Sequence, residues 1–174
     1  MTALVVFESM FGNTQKIAEA VAEGLARHLR VERMEVGHAP TVFSGDVELV
    51  VVGGPTHAFG LSRPGTRQSA AEQAEGGLVS TEMGLREWLG TLQKGSSRIA
   101  VATFDTRISK PRLPGSAAAA AEKRLRRLGF RLLARPESFY VEGTTGPLVG
   151  GELERAHRWG KELAVRFCTA GRVS

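Results

Sequence analysis

A turn near the start of the chain carries residue types that could bind a phosphate. The apolar run Leu4–Phe7 is followed by the polar, glycine-bearing segment Glu8–Thr14, which leads directly into a helical pattern. A strand that passes through a tight turn into a helix leaves backbone N–H groups free, and the helix dipole there favours an anion. Ser9, Asn13 and Thr14 add side-chain donors. The sequence therefore predicts a phosphate site at this turn.

Two further loops follow predicted strands and are expected at the same edge of a sheet. The run Val47–Val52 ends in Gly53-Gly54-Pro55-Thr56, and the run Ile99–Phe104 ends in Asp105-Thr106-Arg107. In an open parallel sheet, ligands bind beyond the carboxyl ends of the strands, at the point where the strand order reverses. We therefore expect the loops 8–14, 54–67 and 104–115 to meet around one site.

The elements that must position these loops alternate between strands and helices. Continuous apolar runs predict strands, and apolar residues spaced three or four apart predict helices. The predicted strands are 3–7, 31–36, 47–52, 99–104 and a last strand in two parts, 130–133 and 138–141. The predicted helices begin at residue 13, near 68, and at 82, 117 and 152. This alternation requires a parallel sheet with helices on both faces.

Local signals set several of the predicted boundaries. Asn13 or Thr14 is predicted to cap the first helix, and Ser116 to cap the helix that ends before Gly129. The last helix, 152–167, is predicted to face the core with five residues, Leu153, Ala156, Leu163, Ala164 and Phe167. We expect one domain over residues 1–168 and a flexible tail at 169–174.

Composition narrows the classes of function. The chain has 174 residues, a formal net charge of +5 and one cysteine, Cys168, which excludes an intramolecular disulfide framework. Basic residues are spread along the chain, which argues against a nucleic-acid surface, and no apolar run approaches the ~18 residues of a membrane span. The histidines at 28, 38, 57 and 157 lack metal-ligand spacing, and Ser9 lacks a nucleophile-elbow context. We expect a cytoplasmic protein that binds no membrane, and a homo-oligomer is left open.

The phosphate turn distinguishes between nucleotide-binding families. It has neither a Walker A Lys-Ser/Thr nor a G-x-G-x-x-G pattern, and the third predicted strand lacks the terminal Asp of a phosphoacceptor domain. Ser9–Thr14 instead resembles the phosphate loop of flavodoxin-like proteins, and its Ser-Met-aromatic-Gly start is similar to that of flavin-dependent quinone reductases. Gly53–Thr56 resembles the Gly-x-Pro-Thr of the family's second flavin loop. The resemblance implies a three-layer α/β/α sandwich, a five-stranded parallel sheet of order 2-1-3-4-5, and FMN as the ligand.

The same resemblance assigns FMN contacts. The phosphate would lie on the N–H groups of the first loop, and the ring would lie between the second and third loops. The implied cofactor-binding residues are Ser9, Met10, Phe11, Gly12, Asn13 and Thr14 at the phosphate, Pro55, Thr56, His57, Ala58, Phe59 and Gly60 on one side of the ring, and Phe104, Asp105, Thr106 and Arg107 on the other. Phe59 and Phe104 could stack on the ring or pack within the protein, and His57 is the one catalytic candidate.

Positive charge in these loops bears on the chemistry. Charge from His57, Arg63, Arg67 and Arg107 near the ring would stabilise the anionic reduced flavin and raise its potential. The arginines could instead hold an NAD(P)H phosphate or an acidic substrate, or could simply be solvated. The leading hypothesis is an FMN-dependent oxidoreductase that moves electrons between NAD(P)H and a quinone-like or other small acceptor. The alternatives are an electron-transfer flavodoxin that serves a redox partner protein, and a flavin-free binding or regulatory module.

Overall fold

The computed structural model describes residues 1–171, along which strands and helices alternate. The strands are β1 Thr2–Phe7, β2 Arg30–Glu35, β3 Val47–Pro55, β4 Ala100–Ile108, β5 Arg131–Leu132 and β6 Glu137–Val141. The helices are α1 Asn13–Leu25, α2 Pro64–Gln73, α3 Leu85–Thr91, α4 Ala117–Arg127 and α5 Glu152–Ala170, with a 3-10 turn at Val36–His38.

The strands form one parallel sheet in the order β2-β1-β3-β4-β5, and β6 also pairs with β4. β5 pairs with the start of β4 and β6 with its end, so the two short strands share the fifth position. Between them lies Pro136, which has no N–H to donate to a ladder. The strand order reverses between β1 and β3, which is where such sheets bind ligands. The predicted fold and strand order are confirmed.

Helices cover both faces of the sheet because its central strands are apolar on both sides. Every residue of β1 is buried. On one face, Ile17 of α1 and Leu163 of α5 pack with the side chains that β1 and β4 direct there. On the other face, Trp88 of α3 and Leu125 of α4 pack against a second set of core residues. Because the central strands are packed on both faces, their carboxyl ends are held in place, and the site loops extend from these ends.

Helices α1 and α5 pack with their backbones in close contact. A Cβ atom added to Gly24 would lie 2.2 Å from His157 O, and one added to Gly160 would lie 2.3 Å from Val21 O. Real side chains do not approach backbone atoms this closely, so both positions need glycine for packing rather than for backbone conformation. The contact supports the helix that begins at the phosphate turn.

One predicted helix cap and two predicted helix starts were wrong, whereas the predicted start of the first helix at residue 13 is confirmed. The N-cap of α1 is Gly12, with φ 92°, and neither Asn13 nor Thr14 caps the helix because both already lie in its first turn. α2 begins at Pro64 rather than near residue 68, since a proline is well suited to the first helical position. α3 begins at Leu85 rather than at residue 82.

The last helix is longer than predicted. α5 continues to Ala170, so the predicted tail does not begin at residue 169, and residues 172–174 lie outside the described part of the chain. Leu153 is 42% exposed and does not face the core, whereas Ala156, Leu163, Ala164 and Phe167 are buried as predicted. None of the helices within residues 1–171 is both long enough and apolar enough to cross a membrane.

The predicted cap of α4 is confirmed. Ser116 Oγ accepts a hydrogen bond from Ala119 N at 3.1 Å, and Gly129, with φ 94°, follows the end of the helix. A capped start at Ser116 fixes the end of the loop that leaves β4, which is one of the three loops expected at the site.

Candidate functional site

The turn after β1 presents unpaired donors at the start of α1. Ser9 Oγ accepts hydrogen bonds from Gly12 N at 3.1 Å and from Gln15 N at 3.3 Å, and the N-cap residue, Gly12, has no side chain to accept others. Within residues 1–171, four more N–H groups of the turn have no acceptor, those of Met10, Phe11, Asn13 and Thr14. Free N–H groups and the positive end of a helix dipole together make the turn suitable for an anion.

A segment distant in sequence holds this turn in place. Ser80 N donates to Ser9 O at 2.8 Å, Val79 N donates to Met10 O at 3.1 Å, and Ser9 N donates to Ser80 Oγ at 3.0 Å. Ser80 is buried. Sequence reasoning missed this residue, and no local signal marks it because the contact joins residues 71 positions apart. The bonds occupy carbonyl groups of the turn and leave its N–H donors free.

The loop after β3 closes in a strained turn. His57 N donates to Gly60 O at 2.8 Å, and Gly60 N donates to His57 O at 3.0 Å. Between them, Ala58 and Phe59 have φ values of 43° and 74°, a conformation that costs a residue with a Cβ on the order of 1 kcal/mol. Gly115 lies close against this turn, since a Cβ there would be 1.9 Å from Phe59 O, so a side chain at residue 115 would not fit. The strained conformation leaves the Phe59 side chain 56% exposed.

The loop after β4 is tied to the other two loops. Thr106 Oγ1 lies 2.7 Å from Thr14 Oγ1 in the phosphate turn. Thr56 Oγ1 donates to Asp105 Oδ2 at 2.9 Å and accepts from Ala117 N at 2.9 Å, which joins the second loop to the start of α4. The three loops predicted to meet therefore do meet.

Together with α2, these loops surround a cavity of about 340 Å³. This volume lies within the usual range for small-molecule sites. α2 contributes Thr66, Ser69, Ala70 and Gln73, a role that the sequence did not predict for this segment. The predicted residues that line the cavity are Ser9, Met10, Phe11, Asn13, Thr14, Pro55, Thr56, His57, Ala58, Phe59, Thr106 and Arg107. In the described chain, no Asp or Glu lines it.

The remaining predicted residues do not line the cavity. Gly12 and Gly60 shape the loops through their backbones. Phe104 is buried, with its ring centroid 6.1 Å from those of Phe139 and Trp159, so packing in the core explains this residue and ring stacking does not. Asp105 is buried and accepts the hydrogen bond from Thr56 Oγ1, so it supports a residue of the cavity wall without lining the cavity itself.

His57 lies in the cavity wall in neutral form. Its Nδ1 is 3.2 Å from Thr66 Oγ1. Burial, followed by the charge of Arg67, lowers the pKa of His57 from its ordinary value, so the imidazole is uncharged at pH 7. A neutral ring can donate or accept a hydrogen bond with a ligand. In the part of the chain that the structure describes, no cluster of three His, Cys, Asp or Glu side chains could hold a metal ion.

The three arginines predicted near the site have different surroundings. Arg107 lines the cavity and donates a hydrogen bond to Leu113 O. Arg63 is exposed at the start of α2. Arg67 does not line the cavity, because its guanidinium pairs with Glu87 at 3.0 Å. The sequence could not separate these roles, since each depends on a contact made by a different element.

A buried carboxylate lies behind the phosphate turn. Glu8 is 1% exposed and accepts hydrogen bonds from Leu85 N at 2.8 Å and from Ser62 Oγ. Arg67 also donates to Ser62 Oγ at 3.0 Å, which links Glu8 to the Arg67–Glu87 pair. Burial raises the pKa of Glu8, and the hydrogen bonds from Leu85 and Ser62 oppose this effect. The carboxylate is thus used at the start of α3 and not at the anion turn.

Glu8→Gln and Glu87→Gln are expected to alter the pH dependence of stability in opposite directions. The pKa of Glu8 is raised, so its contribution is present below its unfolded value of about 4.5 and is lost as pH rises through the folded value. For Glu87, burial raises the pKa but the hydrogen bond and charge of Arg67 outweigh it, so the net pKa is lowered. Its contribution is present above about 4.5 and is lost as pH falls.

Chemical unfolding between about pH 2 and about pH 8 measures both effects, since the change for Glu87 lies below about pH 4.5 and that for Glu8 lies above it. Relative to the parent chain, Glu8→Gln should gain stability as pH rises, and Glu87→Gln should lose it. Parallel curves for the three proteins would contradict the described network.

Comparison with known proteins groups this fold with flavodoxins. A sequence model of the flavodoxin family matches residues 5–159. The chain is similar to a flavodoxin from the domain Archaea, at 17% identity and a TM-score of 0.66, over 97% of this chain and 99% of that one. It is also similar to oxidised flavodoxin 1 from Bacillus cereus, at 14% identity and a TM-score of 0.66, over 97% and 98% of the two chains.

A larger protein shares the fold as one part. The rubredoxin oxygen:oxidoreductase of Desulfovibrio gigas matches at 17% identity with a TM-score of 0.62, over 97% of this chain but 36% of that one. No curated protein gives a significant sequence match. The structural similarities show the fold, and the family match covers most of the sequence. The chain belongs to the flavodoxin family, whose fold serves flavin binding and electron transfer.

Proposed function

We propose that the cavity binds FMN and that the chain is an FMN-dependent redox protein. The observation that carries the proposal is the start of α1, where N–H groups of Met10, Phe11, Asn13 and Thr14 have no acceptor within residues 1–171. A phosphate can accept several such donors at once. No carboxylate of the described chain lines the cavity, so none would oppose the phosphate charge.

The cavity walls fit the remainder of an FMN molecule. The Ser9 hydroxyl accepts hydrogen bonds from two N–H groups, and its own proton remains available to donate to a phosphate. Thr56 and Ala58 would border the ring on one side, and Thr106 on the other. When bound, FMN supplies reversible electron transfer at its isoalloxazine ring, and the chain orients it and screens one side from water. The positive charge of Arg107 in the cavity wall would favour the anionic reduced form.

Titration of the flavin-free chain with FMN tests the proposal. We expect quenched FMN fluorescence at about one FMN per chain, and binding of riboflavin, which lacks the phosphate, weaker by about a hundredfold because charge-assisted hydrogen bonds are lost. Equal binding of the two compounds would show that the turn does not hold the phosphate. Absence of binding by either compound would overturn the proposal.

Two electron partners are candidates. The first is a reduced pyridine nucleotide that reduces FMN, with a quinone-like or other small acceptor; Arg107 in the cavity wall supports it as a contact for an anionic group. The second is a protein partner, and the exposed side chains Phe59 and Leu113 at the cavity support it. Oxidation of NADPH or NADH by the FMN-loaded chain distinguishes them, since it is expected only for the first.

His57 is proposed to hydrogen-bond the flavin ring. Because the pKa of His57 is lowered, its imidazole is neutral at any pH above the ordinary histidine pKa of about 6.5. Titration of His57 should therefore cause no change in the rate of flavin reduction between about pH 6.5 and 8. His57→Ala should slow reduction by about tenfold, and His57→Gln, which keeps a donor, should restore part of the rate. If His57→Ala matches the parent in flavin binding and reduction rate, His57 has no such role.

A further inference from the structure

Exposed cations without an ion-pair partner in the described chain lie next to residues of the cavity wall. Arg63 lies at the start of α2, and Lys110 and Arg112 lie in the loop after β4. All three side chains are exposed, and none pairs with a carboxylate of the described chain. Lys110 and Arg112 alternate with Pro111 and Leu113, which line the cavity, and Arg63 is hydrogen-bonded to Thr66, another residue of the wall.

Apolar side chains lie among these cations. Phe59 is 56% exposed and Leu113 is 48% exposed, and both contribute to the cavity wall. Phe59 lies in the strained turn of the second loop, and Gly115 of the third loop lies close against that turn. Exposed apolar groups beside unpaired charges are typical of interaction surfaces. We refer to Arg63, Lys110, Arg112, Phe59 and Leu113 as the basic rim.

The loops that carry these cations contain no negative charge of their own. Residues 54–71 and 106–121 contain no Asp or Glu, although they include Arg63, Arg67, Arg107, Lys110 and Arg112. Arg67 is neutralised by Glu87, and the other four are not paired with a carboxylate in the described chain. Two exposed carboxylates, Glu72 and Glu142, neighbour other residues of the wall, so these surroundings carry an excess of positive charge and not a single sign. Such an excess attracts partners of the opposite sign and orients them during encounter.

We propose that the basic rim is a docking surface for an acidic electron-carrier protein. The reason for docking, which is electron transfer to or from a bound flavin, rests on the proposed FMN function. The docking itself depends only on the basic rim. Exposed cations spread over two loops suit a macromolecule with several carboxylates, whereas a small anion would need converging donors. Phe59 and Leu113 supply the apolar contact that a protein interface places inside its charged margin.

A binding titration with a plant-type [2Fe–2S] ferredoxin, a small acidic electron carrier, tests the proposal. Fluorescence anisotropy of labelled ferredoxin is measured at low salt with the flavin-free chain and again with FMN added. The rim variant is Lys110→Glu with Arg112→Glu. Its matched control is Lys94→Glu with Arg98→Glu, which makes the same change in net charge at exposed residues before β4, at the opposite edge of the sheet.

We expect the rim variant to weaken ferredoxin binding by at least about tenfold and the control variant by less than about twofold, because attraction depends on local charge. Phe59→Ser should weaken binding of ferredoxin but not of poly-L-glutamate, which offers charge without apolar contact. Equal losses in both charge variants, or equal effects of Phe59→Ser on both probes, would overturn the proposal. So would binding to phosphatidylserine vesicles, but not to ferredoxin, with the same dependence on the rim.

The two proposals fail in different ways. If FMN does not bind but the flavin-free chain still binds ferredoxin through the rim, the FMN function is wrong and the docking surface stands. If FMN binds and ferredoxin binding ignores the rim, the docking proposal is wrong and the FMN function stands.

Discussion

Asn13→Asp is expected to weaken FMN binding by about a hundredfold. The Asn13 side chain lines the cavity beside N–H groups that have no acceptor within residues 1–171. At roughly 5 Å from a phosphate, and with an effective dielectric of about 20, a carboxylate costs about 3 kcal/mol per unit charge. Isothermal titration or FMN fluorescence measures the loss of affinity.

Asn13→Ala is the matched control for this charge. Asn13 Nδ2 donates to Thr145 O at 3.1 Å, and both variants lose this hydrogen bond, but only aspartate adds a negative charge. The alanine variant should bind FMN within about tenfold of the parent chain. Without FMN, the aspartate variant should be at least as stable as the alanine variant, since a carboxylate interacts favourably with the start of α1. Equal FMN affinity for the two variants would place the phosphate elsewhere.

Gly160→Ala is expected to lower the free energy of unfolding by about 2–3 kcal/mol. The added Cβ would lie 2.3 Å from Val21 O, and a backbone oxygen cannot move aside as a flexible side chain can. Alanine improves helix propensity by about 1 kcal/mol, but separating α1 from α5 outweighs that gain. For a chain of this size, the melting temperature should fall by roughly 5–10 °C.

Gly90→Ala provides the comparison. Gly90 lies in α3, and nothing lies within 4 Å of a Cβ added there. This substitution should bring the same gain in helix propensity without a steric clash, and should therefore raise the free energy of unfolding by up to about 1 kcal/mol. If both variants gain stability, the close contact between α1 and α5 does not constrain the fold as described.

The sequence predicted the features that short segments encode. The apolar runs of β1, β3 and β4 identified the central strands, because strands buried on both faces have no polar alternation. The element order then required a parallel sheet, and Ser9–Thr14 and Gly53–Thr56 identified the family. The loop lengths and their positions after strands predicted which residues would meet.

Features that depend on distant contacts were not predictable. The role of Glu8 is set by Leu85 N and Ser62 Oγ, which are 77 and 54 residues away. Asn13 was a reasonable cap by type, but Gly12, in a left-handed conformation, is the N-cap, one residue earlier. Phe104 resembles a ring-stacking residue in sequence, and only its contact with Trp159 shows that it fills the core.

The divided fifth strand bears on how this protein resists aggregation. The outward-facing backbone groups of β6 are already bonded within the chain: Tyr140 N donates to Glu152 Oε2 at 2.7 Å, and Val149 N donates to Tyr140 O at 2.9 Å. Ser138 O accepts a hydrogen bond from Arg155. β5 is only two residues long, so it offers little backbone to another chain. Together these features leave that side of the sheet a poor template for strand addition and protect it from edge-to-edge assembly at high concentration.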